Sequence, residues 1–145
     1  MNTLSLCRAG LLTLLVAATL TACKQNSDPQ PESSDLAARV TGQYTYASLT
    51  TGGKTYPADE TSLKGGVTVT RQSENSVTMQ FNIRSTATNQ PFLDGSATGI
   101  TLREAGNGEV DLVHEGETVA RGGKNKLVIN GVDDNNDEFT ITLKK

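Results

Sequence analysis

The chain has 145 residues and a formal net charge of −3, with 35% apolar residues, 4% aromatics, no Trp and 14 Gly. That length allows one compact domain and excludes the large cofactor-binding folds, so no cofactor is expected. The Gly-rich, aromatic-poor composition suits a thin all-β domain better than a helical bundle. A pI near 5.1 excludes a general nucleic-acid binder, which needs a basic face to displace phosphate counterions.

Residues 1–8 end in the positive charge of Arg8, and 9–19 form an apolar run too short for the roughly 20 residues that span a bilayer. Residues 1–22 are therefore expected to be a cleaved leader. Its end, Leu20-Thr21-Ala22-Cys23, resembles the bacterial lipobox. That resemblance implies that Cys23 takes a diacylglyceryl group, becomes the new N-terminus and carries acyl chains such as palmitate. Each buried methylene of such a chain contributes about 0.8 kcal/mol, which makes a multiply acylated Cys23 a lasting membrane anchor. Lys24 stands where the lipobox pattern would place an inner-membrane-retaining Asp, so the expected location is the outer membrane of the cell envelope. Cys7 leaves with the leader, so the mature chain has no second Cys and no disulfide. Residues 23–38 are polar and Pro/Ser-rich, and read as a disordered tether with an average reach of about 20 Å.

The folded domain is expected over 39–145. Its dominant signal is period-two alternation, clearest in Val77-Thr78-Met79-Gln80-Phe81-Asn82-Ile83 and in Phe139-Thr140-Ile141-Thr142-Leu143, with one face apolar and the other polar. Eight strands are predicted, over 40–49, 66–71, 76–84, 97–104, 109–114, 117–121, 126–130 and 138–144. The inward set runs from Val40, Tyr44, Tyr46, Val67 and Val69 through Val77, Met79, Phe81 and Ile83 to Ile100, Leu102, Val110, Leu112, Leu127, Ile129, Phe139, Ile141 and Leu143. Turn sequences at 72–75, 105–108, 115–116 and 122–125 carry the Gly and Asn that hairpins require. Such a meander hides its edges by closing into an eight-stranded antiparallel up-and-down barrel, the first strand pairing with the last; a two-sheet sandwich is the alternative.

Gly42-Gln43-Tyr44 on the first strand resembles the Gly-x-aromatic opening of lipocalins and fatty-acid-binding proteins, with Tyr in the Trp position. The wider run through Gly53-Lys54-Thr55-Tyr56-Pro57, Val67-Thr68-Val69-Thr70-Arg71 and Phe139 to Lys144 is similar to small lipocalin-like lipoproteins of the Bacteroidota envelope. The resemblance implies a calycin-type barrel on a lipid anchor.

In an up-and-down meander, successive loops alternate between the two ends. The long connections 50–65 and 85–96 and the acidic 131–137 then share one end, and the tight turns share the other with both chain ends. Charge follows the same division. Arg39, Arg71, Arg103, Arg121, Lys124, Lys126, Lys144 and Lys145 outnumber Glu74, Glu104 and Glu109 at the plain end. At the elaborated end Lys54, Lys64 and Arg84 face Asp59, Glu60, Asp94, Glu115, Glu117, Asp133, Asp134, Asp137 and Glu138. The expectation is a basic base resting near anionic lipid headgroups and an acidic mouth turned away from the membrane.

Chemistry-bearing motifs are few. Asp133, Asn135 and Asp137 offer oxygens at alternate positions, as the start of a calcium loop does. The sixth and twelfth positions are Glu138 and Lys144, where an EF-hand needs Gly and a bidentate Glu, so an acidic hairpin is the expected reading and no metal is assigned. Gly52-Gly53-Lys54-Thr55 lacks the earlier Gly and following helix of a P-loop, and Gly95-Ser96-Ala97-Thr98-Gly99 is no nucleophile elbow. His114 is the one His and sits beside a turn, where it reads as a surface residue. With no paired base and nucleophile, no enzyme is expected. Tyr44, Tyr46, Tyr56, Phe81 and Phe92 are candidates to line or cover a ligand site, with 89–93 as a lid. The expected function is binding of a small apolar or cationic ligand at the acidic, membrane-distal mouth; the alternative is an envelope protein-interaction module with a filled core.

Overall fold

A computed structural model describes residues 35–133 and 135–145. The leader, Cys23, the tether up to residue 34 and Asp134 lie outside the described residues. Eleven elements follow in order: α1 (Leu36–Val40), β1 (Gly42–Thr51), β2 (Lys54–Pro57), a 3₁₀ turn (Ala58–Glu60), β3 (Leu63–Ser73), β4 (Ser76–Ser85), β5 (Pro91–Gly106), β6 (Glu109–His114), β7 (Glu117–Gly123), β8 (Lys126–Val132) and β9 (Glu138–Lys144).

Every neighbouring pair is antiparallel, and β1 pairs with β9 to close the sheet into an eight-stranded barrel. The ninth strand does not add a stave. On one side β1 pairs with β3 over Gly42–Thr45 and with β2 over Ser48–Thr51, so β2 prolongs the β3 stave. Gly65 and Gly66 make this crowding tolerable: a Cβ on the first would run into the Asn82 carbonyl, and on the second into the Tyr44 carbonyl. Two-residue turns with both residues at positive φ join β1 to β2 at Gly52-Gly53, β5 to β6 at Asn107-Gly108, β6 to β7 at Glu115-Gly116 and β7 to β8 at Lys124-Asn125. This is the backbone twist that a right-twisted antiparallel pair accepts.

Alternation places Tyr44, Val67, Val69, Val77, Met79, Ile83, Ile100, Leu112, Leu127, Ile141 and Leu143 inside, each removing apolar surface worth about 1.5–3 kcal/mol when fully buried. The opposite face carries Thr68, Thr70, Thr78, Gln80, Asn82, Arg103, Asp111 and Arg121. That is the reverse of a membrane-spanning barrel, whose outward band is apolar. Among the described residues no helix is long and apolar enough to cross a membrane.

Several boundaries differ from the sequence reading. The strand expected from residue 40 begins at Gly42, because 36–40 form α1, a helix too short to show periodicity. Residues 36–38, expected in the tether, thus belong to the domain, and Ala37 is fully buried. The connection expected over 50–65 contains β2 and the 3₁₀ turn, and the second half of 85–96 is the start of β5. Gly95 and Gly99, at φ 113 and 70, masked that strand's alternation. The 98–99 bulge then shifts its phase, Met79 facing Ala97 while Val77 faces Ile100.

Helix α1 closes the end of the barrel at which the described chain begins. The Asp35 carboxylate caps it, accepting from the Ala38 amide at 3.0 Å, and the Ala37 amide donates to Glu74 O at 3.0 Å in the β3–β4 turn. Val40, fully buried, fills the space beside Gly122, where a Cβ would lie 2.8 Å from Val40 Cγ1. The Tyr44 hydroxyl donates to the Val40 carbonyl at 2.6 Å. Two ion pairs, Asp35 with Arg71 and Arg39 with Glu104, join helix to wall. Lys145, whose amide donates to Asn125 O, lies at this same end.

Candidate ligand pocket at the open end

The β1–β2 turn, the β4–β5 connection, the β6–β7 turn and the β8–β9 hairpin all lie at the other end, as strand alternation dictates. Thr50–Gly53 border Asn136–Thr140 there, and the Thr86 amide donates to Ser62 O. On the β1–β3 side the chain folds over the interior. The Tyr46 hydroxyl and Thr61 Oγ1 are 3.0 Å apart, Thr61 Oγ1 donates to Ala58 O at 3.1 Å, and Ala58 packs on the core.

The β4–β8 side is left open, and an apolar pocket of about 200 Å³ enters the barrel there. β4 contributes Met79 and Phe81, and β5 contributes Leu93, Ala97 and Ile100. The far wall is Val119 of β7 and Ile129 of β8, bordered by His114 and Asn130; the Asn130 side chain is exposed and accepts from Thr140 Oγ1. Val119 reaches it through a bulge: Leu112 faces Ala120 while Val113 faces Thr118, leaving Val119 unpaired. His114 follows Val110 and Leu112 in the inward phase of β6. Its Nδ1 is buried and has no hydrogen-bond partner among the described residues.

Phe92 and Phe139 meet above this end with ring centroids 5.5 Å apart. They belong to β5 and β9, which lie half-way round the barrel from each other, so the contact crosses the mouth. Phe139 sits over Gly131, where even a Cβ would come within 2.6 Å of its ring. Phe92 is 40% exposed, a large apolar ring held at the rim.

The five residues singled out as ligand-site candidates are not brought together. Phe81 lines the pocket and Phe92 stands over the mouth. Tyr44 is buried at the closed end beneath the Lys145 ammonium, 5.0 Å from its ring centre, and burial pushes its phenol up to about 12. Tyr46 is buried with its hydroxyl on Thr61. Tyr56 lies half-buried on β2, with Lys54 Nζ 4.8 Å from its ring centre. Ala97, Val119, Ile129 and His114 were missed as pocket residues. The phase of Val110, Leu112 and His114 is a readable signal for the last, whereas the Val119 bulge has none.

The acidic hairpin turns its oxygens on itself. Asp133 Oδ1 accepts from the amides of Asn135 at 2.8 Å and Asp137 at 2.9 Å, and these bonds hold the carboxyl below its ordinary range. Among the described residues no group of three or more His, Cys, Asp or Glu is placed to hold a metal ion. A depression of about 530 Å³ beside the hairpin is polar and open to water.

No protein-family profile matches the chain, and no curated protein matches it. Among solved structures it is similar to a de novo designed fluorescence-activating β-barrel, at 13% identity and a TM-score of 0.46, covering 77% of this chain and 97% of that one. It is also similar to a Bacteroides fragilis protein described as a candidate outer membrane protein, at 19% identity and a TM-score of 0.44. That match covers 77% of this chain and 53% of the other, so the chain spans about half the length of that protein.

Proposed function

We propose that this chain is a lipocalin-like lipoprotein of the outer membrane, anchored through acylated Cys23, that binds a small apolar molecule in the pocket beneath Phe92 and Phe139. The observation that carries the reading is the pairing of a closed end with an open one. Helix α1 plugs the barrel where the described chain begins, and the apolar pocket opens at the opposite end. A tether leaving the plugged end would turn the pocket away from the membrane. The apolar walls favour an apolar ligand over a cation, because the Asp133 carboxylate is engaged within its own hairpin.

The pocket also sets a size. An apolar cavity of about 150 Å³ holds benzene, and ligand sites for larger molecules begin near about 300 Å³. At about 200 Å³ the space suits a single ring or a short branched chain. Native mass spectrometry of the mature chain carrying Cys23→Ser should reveal one co-purifying small molecule or saturable uptake of an added one-ring compound. Ala97→Phe, which fills the pocket, should abolish either. A bare mass with no saturable uptake would contradict ligand binding and favour the protein-interaction module.

A further inference from the structure

We infer that the free edge of β8 at Asn130, Gly131 and Val132 docks an extended peptide of a partner protein, one that carries a single medium-sized apolar side chain between basic residues. The inference rests on the apolar pocket proposed above and adds to it a main-chain edge. β7 and β8 pair only from Gly123 opposite Lys126 to Ala120 opposite Ile129, although β7 starts at Glu117 and β8 runs to Val132. Toward the open end the wall is therefore unzipped along this seam. A depression of about 470 Å³ is bordered there by Glu117 on one strand and Asn130, Gly131 and Val132 on the other, and Asn130 also borders the apolar pocket. β8 stays a regular strand because β9 holds its other side as far as Val132 opposite Glu138. Alternate residues of a strand turn their amide and carbonyl to the same side, so this stretch presents unpaired main-chain groups to the seam, a template for an added strand. β7 is the poorer template, since Val119 sits in a bulge against β6 and a bulge interrupts the ladder.

The surroundings of the edge narrow the partner. An added strand sends alternate side chains to opposite faces, so one side chain of a peptide on β8 is directed into the barrel, toward Val119, Ile129 and Met79. At about 200 Å³ the pocket takes one Leu or Ile, and in this mode of recognition main-chain bonds supply affinity while such a pocket supplies specificity. On the outside, Val132 is 58% exposed and extends the apolar contact. Glu117 and Glu138 flank the seam, both exposed and in no ion pair among the described residues. A second copy of this chain would bring the same two carboxylates against them, and like charges placed opposite one another are destabilising. A peptide with Lys or Arg on either side of its apolar residue complements them instead.

The probe is the capped pentapeptide Lys-Thr-Leu-Thr-Lys, titrated into the full chain in nanodiscs of zwitterionic lipid and followed by NMR of the Val119 and Ile129 methyls and the amides of Asn130, Gly131 and Val132. Both sets of signals should shift saturably. Replacing the peptide's Leu by Ser should weaken binding by about tenfold or more, the size of one buried aliphatic side chain. Methylating its internal peptide nitrogens, which keeps the side chains and charges but removes the donors, should weaken it as much. Glu117→Gln with Glu138→Gln, both at exposed positions, should weaken it by about two- to fivefold for each charge removed. Binding that is indifferent to the Leu and to methylation would be mere attraction to an acidic rim and would overturn the docking edge. Toluene, titrated in the same way, separates this inference from the reading it rests on. A methyl response to toluene with none to the peptide overturns the edge and leaves the pocket standing. A response to neither overturns both.

Discussion

Tyr44 couples the wall of the barrel to its plug through a buried hydroxyl, and burial raises its pKa from 10 to about 12. The unfolded chain therefore loses this proton first. The stabilisation is intact below pH 10 and is lost as pH climbs toward about 12, at roughly 1 kcal/mol per pH unit. Denaturant unfolding across that window should show the steep fall in wild type and a shallower one in Tyr44→Phe. Asp133 offers a second test at this scale. Replacing it with Ala removes the acceptor for the Asn135 and Asp137 amides, so both should exchange with solvent faster while the β8–β9 ladder keeps its protection. His114 shows why a residue's chemistry can be misread: beside a turn it looks like a surface residue, yet two positions after the buried Leu112 it points inward.

At the scale of elements, α1 is a five-residue helix that isolated helix energetics would not sustain. It persists because Ala37 and Val40 are buried in the barrel end. Val40→Ala should cost about 2 kcal/mol by leaving a cavity against Gly122, read as a lower denaturation midpoint with an unchanged slope. The turn at Glu115-Gly116 places a Glu at φ 51, a region that Asn tolerates better, and Glu115→Asn should raise stability by up to about 1 kcal/mol. The strands were legible in the sequence wherever alternation ran unbroken, as in β4 and β9. β2 and the first part of β5 were not: Tyr56 is the lone large apolar side chain of β2, and Gly95 and Gly99 interrupt the pattern in β5. The same breaks hid the pocket. Phe81 and Phe139 alternate inward with the core, but they lie at the open end and remain half-buried, a distinction that depends on closure of the barrel.

For the molecule as a whole, the sequence's division into a plain and an elaborated end corresponds to a plugged end and an open one. The plain end's basic surplus is partly consumed, since Arg39 and Arg71 pair across the plug and Arg121 pairs with Asp111. Lys145 Nζ donates to the Thr41 carbonyl. Arg103, Lys124, Lys126 and Lys144 take part in no ion pair among the described residues, and we propose them as the charges that meet anionic headgroups, each worth about 1 kcal/mol near such a surface. In vesicles containing anionic lipid, neutralising Lys124, Lys126 and Lys144 should loosen the orientation of the anchored domain, measured by fluorescence quenching from the bilayer, and high salt should do the same to wild type. An unchanged orientation would show that these charges only solvate the surface.

The apolar, reachable space inside the open end is tested most directly by a crystal structure of the protein under xenon pressure, because xenon enters apolar cavities of this size without needing a polar partner. The expected result is a xenon atom in contact with Met79, Ile100 and Ile129, beneath the Phe92–Phe139 pair. Side chains collapsed into that volume, or ordered waters occupying it under the same pressure, would contradict the account.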